Sequence, residues 1–82
     1  ECTATPRDIL KKALIHNAHA FILLHNHPSG DPTPSDADRR LTRRLREASE
    51  TMGILLQDHL VIGTPSESRA LPYFSFREHG LL

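Results

Sequence analysis

One cysteine, no tryptophan, one tyrosine, three phenylalanines and four glycines stand among 82 residues. A single thiol, Cys2, closes no internal disulfide, which excludes a disulfide scaffold and fits a reducing compartment, so the expected location is cytoplasmic. Charge of one sign is not in surplus either. Ten Lys and Arg face ten Asp and Glu, and nothing in the global charge advertises a nucleic-acid partner. Long apolar runs are missing too: the longest, residues 20–24, is far short of the ~20 residues of a membrane helix. The N-terminus has no basic region followed by an apolar one, so no signal peptide is expected. Neither an internal repeat nor a low-complexity stretch occurs. A hydrophobic share of 38% is nevertheless too high for a disordered tail. These bounds leave one small domain with a thin core, burying about 60–65% of its unfolded surface.

What the chain does have is histidine, six of them, two placed one residue apart. The elements around that pair are readable. Thr5 suits an N-cap with Pro6 at the first helical position, and Ile9, Leu10, Ala13, Leu14 and Ala18 recur at helical spacing. A helix over residues 6–17 follows, with Asn17 as the residue just past its end. Residues 20–24 are apolar on both faces, the pattern of a central strand covered on both sides. Residues 27–34 carry three prolines and a glycine and form a stiff loop. Ser35 then caps a helix over residues 36–52, accepting from the amide of Asp38, with Ala37, Leu41, Leu45, Ala48 and Met52 as its apolar stripe. Gly53 stops it. Residues 60–62 read as a second buried strand, residues 66–72 as loop, and residues 73–76 as a third strand. The order helix, strand, helix, strand, strand implies a layered α/β domain.

Side chains two apart on a strand share a face, so His25 and His27 can converge on one point at the end of the first strand. Asp38 lies in the first turn of the next helix, where the helix dipole favours a carboxylate. Where that helix start abuts the strand end, His25, His27 and Asp38 form a three-ligand site with a free fourth position. That is the coordination of a catalytic zinc. In isolation each residue has a plainer role, a hydrogen-bonded surface histidine or a capping box with Asp in place of Glu. The combination of His-x-His, seven residues, Ser, two residues and Asp favours the metal.

The string His25-Asn26-His27-Pro28 with Ser35-Asp36-Ala37-Asp38 resembles the JAMM motif of the MPN-domain metalloprotease superfamily. The longer stretch from His25 through Ser29-Gly30-Asp31-Pro32-Thr33-Pro34 to Ser35 is similar to its RadC branch, a bacterial group. Agreement extends through Leu41-Thr42-Arg43-Arg44-Leu45, Asp58-His59-Leu60-Val61-Ile62-Gly63 and residues 73–82, nearly the whole chain from Pro6 onward. The resemblance implies a three-layer α/β/α fold related to cytidine deaminases, with Zn2+ held by His25, His27 and Asp38. It implies that Ser35 donates a hydrogen bond beside the metal or to the transition state. The implied activity is hydrolysis of peptide or isopeptide-type amides by a zinc-activated water, with a peptide or protein as substrate. A glutamate on a strand upstream serves the family as general acid/base. No such strand precedes Thr5, so residues 1–82 read as a partial MPN domain lacking its N-terminal strands. Glu1 fits that glutamate poorly, and Glu47, nine helical residues on, would lie ~13 Å from Asp38.

Other readings carry less. The letters His-Asn-His do not make an HNH nuclease, whose three residues are dispersed over a larger unit. A nucleobase deaminase needs His-x-Glu and a later Pro-Cys-x-x-Cys, which one cysteine cannot supply. Arg39, Arg40, Arg43, Arg44 and Arg46 read first as a solvated helix face offset by Asp36, Glu47 and Glu50. A phosphate-contacting stripe is the alternative, giving weak nucleic-acid binding. It belongs to the competing function, a DNA-repair-associated binding module with a structural or vestigial metal and no catalysis. His59 enters a strand and reads as a packed, hydrogen-bonded histidine, while His16, His19 and His79 read as surface and Cys2 as an inert thiol. No membrane partner is expected. A sheet edge left free by absent strands would favour self-association.

Overall fold

The computed structural model describes residues 5–65 and 72–82. Its elements run α1 (Pro6–Ile15), β1 (Ala20–Asn26), α2 (Asp36–Thr51), β2 (Leu55–Ile62) and β3 (Tyr73–Ser75), in the expected order. Both helices begin and end where their local chemistry dictates. Thr5 accepts from the Asp8 amide at the start of α1, and Pro6 occupies its first turn, where a missing N–H costs nothing. Asn17 adopts the left-handed conformation at φ 53°, and the Ala18 amide reaches back to the Ala13 carbonyl at 2.9 Å, closing α1. Gly53, at φ 73°, ends α2 in the same way, with the Ile54 amide on the Ser49 carbonyl at 2.8 Å. The loop expectation for residues 66–72 falls mainly on residues 66–71, which lie outside the described residues, as do Glu1 and Cys2.

The sheet is mixed, in the order β1-β2-β3. β1 and β2 are parallel, joined through α2, and β2 and β3 are antiparallel. A register shift between Phe21 and Ile22 marks a bulge near the start of β1. Past it, Leu23 pairs with His59, Leu24 with Leu60 and His25 with Val61. β2 is longer than residues 60–62, because its first half, Leu55 to His59, mixes polar and apolar side chains that a search for an apolar run passes over.

Leu10 of α1, Leu45 of α2 and Leu56 of β2 form the centre of the core, with Ile9, Phe21, Leu23, Ala48 and Leu82 packed around them. Both helices therefore lie on one face of the sheet, the face carrying Phe21, Leu23 and Leu56. This corrects the reading of β1 as a central strand covered on both sides. β1 is an edge strand among the described residues, and Ile22 and Leu24 on its other face are 50% and 65% exposed. The physical reason is that the second face has no covering layer among the described residues. The α/β class holds, with a sheet and one helical layer described.

Candidate metal centre

His25 and His27 stand at the C-terminal end of β1, on the covered face, and the chain leaves the strand there into the proline loop. That loop is held down by backbone. The Thr64 amide donates to the Gly30 carbonyl at 2.7 Å, and the His27 amide to the Ile62 carbonyl at 3.1 Å. A Cβ at Gly63 would lie 2.2 Å from the Gly30 carbonyl oxygen and 2.8 Å from Pro32 Cδ, so only glycine permits this approach. The loop then delivers Ser35 as N-cap of α2 in a reciprocal capping box. Ser35 Oγ accepts from the Asp38 amide at 3.1 Å, and the Ser35 amide donates to Asp38 Oδ2 at 2.8 Å.

This brings the Asp38 carboxylate, 1% exposed, against both imidazoles. His25 Nδ1 lies 3.1 Å from Asp38 Oδ1, and His27 Nε2 lies 3.0 Å from Asp38 Oδ2. The two rings meet edge to face, with centroids 4.8 Å apart. One ligand atom from each of His25, His27 and Asp38 falls within 4.8 Å of the others, and no glutamate belongs to this group among the described residues. Glu47 lines a surface crevice with Pro6, Arg44 and Thr51 instead.

The proton bookkeeping at these contacts fits a cation. His27 Nδ1 faces the Asp31 carbonyl at 2.8 Å, and a carbonyl only accepts, so the ring proton belongs on Nδ1. A neutral His27 then presents a bare Nε2 lone pair to a carboxylate oxygen 3.0 Å away, an arrangement that needs a cation or a second ring proton between the two. His25 Nδ1 and Asp38 Oδ1 are both buried and neither makes a hydrogen bond among the described residues, although they are 3.1 Å apart. The two short contacts fall on different oxygens of one carboxylate, so a single ion held by His25, His27 and Asp38 would have all three residues within reach. Two imidazoles and one carboxylate are the donor set of a zinc ion. The residues present fit a metal.

Burial pushes the Asp38 carboxyl up. The Ser35 amide and hydroxyl, the His27 ring and the charge of His25 outweigh that, holding it below the ordinary aspartate value. His59 behaves in the opposite sense. It is wholly buried, and burial lowers its pKa to about 4, with Asp38 pulling it up and His25 pushing it down. His59 is packed and hydrogen-bonded as its sequence context implies, but its partner, Thr42, was not singled out from sequence. Thr42 Oγ1 lies 2.6 Å from His59 Nδ1 and donates to the Asp38 carbonyl at 2.8 Å. The available signal was its position four residues after Asp38, on the same face of α2.

Asp58, on the other face of the sheet, ties β2 to the C-terminal segment. It accepts from Ser75 Oγ at 2.5 Å, from the Arg77 amide at 3.0 Å and from the His59 amide at 2.7 Å. Burial raises it, and these bonds with the Arg77 charge lower it further, leaving it below the ordinary value. His16 and His19 are exposed. His79 is exposed as well, yet it stacks on Phe74 at 4.0 Å and its Nδ1 meets the Ser75 carbonyl at 2.9 Å.

Comparison with known proteins identifies the family. The profile of the RadC-like JAB domain family matches residues 1–81. Over 77 residues, 94% of this chain, it is 53% identical to a UPF0758 protein of Rhodobacter capsulatus, covering 33% of that protein. It is 48% identical to a UPF0758 protein of Thermotoga maritima, covering 32% of it. It is 51% identical to the UPF0758 protein YeeS of Escherichia coli, covering 48% of it. The chain thus spans between about a third and a half of the length of these relatives. With the motif, the α/β fold and the profile in agreement, the chain belongs to the RadC-like JAB domain family.

Proposed function

We propose that this chain carries the metal centre of a zinc-dependent amide hydrolase of the JAMM type, acting on peptide or protein bonds. The observation that supports it is the buried Asp38 carboxylate, both of whose oxygens face imidazole nitrogens of His25 and His27 at 3.0–3.1 Å. His25, His27 and Asp38 would hold the ion, and a bound zinc supplies Lewis acidity toward a water and a carbonyl. Asp38 is kept ionised by its capping bonds, so it is ready to ligate at neutral pH. Ser35 Oγ accepts from the Asp38 amide, and its hydroxyl, which helps keep Asp38 ionised, can turn its proton toward an oxygen developing charge nearby. Among the described residues no glutamate joins the three residues of this group. The general acid/base is proposed to come from the part of the longer protein outside this chain.

General acid/base assistance is worth ~10²–10⁴-fold, so the 82-residue chain should be nearly inert as a protease beside its full-length form. The test compares the two on a panel of amide substrates at matched zinc occupancy. Equal activity would place the carboxylate within these residues, with Glu1 the first suspect. Activity in neither, with zinc bound, would favour the binding-module reading.

One observation favours that second reading. Of the five α2 arginines only Arg46 makes an ion pair among the described residues, with Glu50 at 3.4 Å. Arg39, Arg40, Arg43 and Arg44 are available to phosphates. DNA binding is then expected to be weak, independent of sequence and steeply salt-dependent. A tight complex insensitive to salt would contradict that expectation.

A further inference from the structure

His59 sits on β2, paired with Leu23 and two pairs before Val61, which is paired with His25. It therefore projects from the same sheet face as the two histidine ligands. Its ring lies between two others, 4.6 Å from Phe76 at 5° and 6.0 Å from His25 at 21°. Its edge is fixed separately. Thr42 has one hydroxyl proton and gives it to the Asp38 carbonyl, so the proton in the 2.6 Å contact is the one on His59 Nδ1, donated to Thr42 Oγ1. A hydroxyl that bonds back to the carbonyl four residues earlier alters the local pitch of a helix, and here that carbonyl belongs to the ligand itself.

From these contacts we infer that His59 and Thr42 form a positioning pair for the metal centre. His59 backs the His25 ring from β2, and through Thr42 it sets the first turn of α2 that carries Asp38. The inference rests on the metal-centre reading and goes beyond it, because the pair joins two ligands that arrive from different elements. A phenyl ring would fill the same stack without the desolvation cost of a buried imidazole. The imidazole earns its place only through the Nδ1 bond, and His59 Nε2 has no partner among the described residues. Partners that orient metal ligands typically matter by 10–100-fold in metal affinity.

The test uses the full-length protein, titrated with zinc against a chromophoric chelator, with thermal melts of each metal-free form. The variants are His59→Phe, Thr42→Val and Thr42→Ser. Zinc affinity is expected to fall ~10–100-fold in His59→Phe and Thr42→Val, and to stay near wild type in Thr42→Ser, which keeps the hydroxyl. The metal-free melting temperatures of Thr42→Val and Thr42→Ser are expected to be similar. Affinities within twofold of wild type in His59→Phe and Thr42→Val would overturn the inference, as would equal losses in Thr42→Val and Thr42→Ser. If His59→Phe fails to fold, the two Thr42 variants decide alone. Absence of zinc binding by the wild type would overturn the metal reading itself, a result separate from any difference among variants.

Discussion

At the scale of single residues, His59 makes the metal-free protein sensitive to mild acid. Its folded pKa, about 4, is below the ordinary 6.5, so between those values the unfolded chain binds a proton that the folded chain refuses. The stability it secures is fully present above 6.5 and is lost as pH falls toward 4, by an amount of the order of 3 kcal/mol. Asp38 and Asp58, both held below the ordinary aspartate value, extend the loss at lower pH. Urea denaturation of the chelator-treated protein should show stability falling through that window, and His59→Phe should flatten it. The same slope in both forms would remove His59 as the cause. That His25, His27 and Asp38 come together was legible from sequence, because their spacing puts the two histidines on one strand face and the aspartate in the first turn of the next helix. Thr42 was not, since a threonine inside a helix carries no signal until its neighbour across the sheet is known.

Elements were legible where local chemistry marks their ends. Thr5, Pro6, Asn17, Ser35 and Gly53 act as the caps their residue types predict, and α2 is displaced by a single residue at its C-terminal end, Asp36–Thr51 against 36–52. The extent of β2 and the exposure of β1 were not, because both depend on which faces other elements cover. The contact at Gly63 was equally hidden, since a glycine after a strand looks like an ordinary turn. Its lack of a Cβ lets the proline loop close onto the end of β2, and through that loop the backbone of His27 and Asp31 is set. Gly63→Ala should therefore cost about 1–3 kcal/mol in denaturant unfolding, as overpacking does, and weaken zinc binding in the same protein. A stability change below ~0.5 kcal/mol would show that the approach of Gly30 and Pro32 is not fixed by this glycine.

For the molecule as a whole, the sheet face left uncovered among the described residues bears on behaviour in solution. Ile22, Leu24 and Leu55 are exposed, and β1 has no strand on its outer edge among the described residues. Exposed apolar surface of this kind marks contact with further protein, and a free edge offers unpaired backbone groups. The isolated 82-residue chain is expected to self-associate as concentration rises, and Leu24→Lys to shift it toward monomer in sedimentation. Identical sedimentation of the two would place the contact elsewhere. No described helix is long and apolar enough to cross a membrane.

The central claim is that a metal ion, not a second ring proton, lies between Asp38 and the two histidines. Metal analysis of the purified chain, alongside His25→Ala, His27→Ala and Asp38→Ala, addresses it most directly. The account predicts about one zinc per wild-type chain and loss of most of it in each variant. Metal content unchanged across all three substitutions would contradict it.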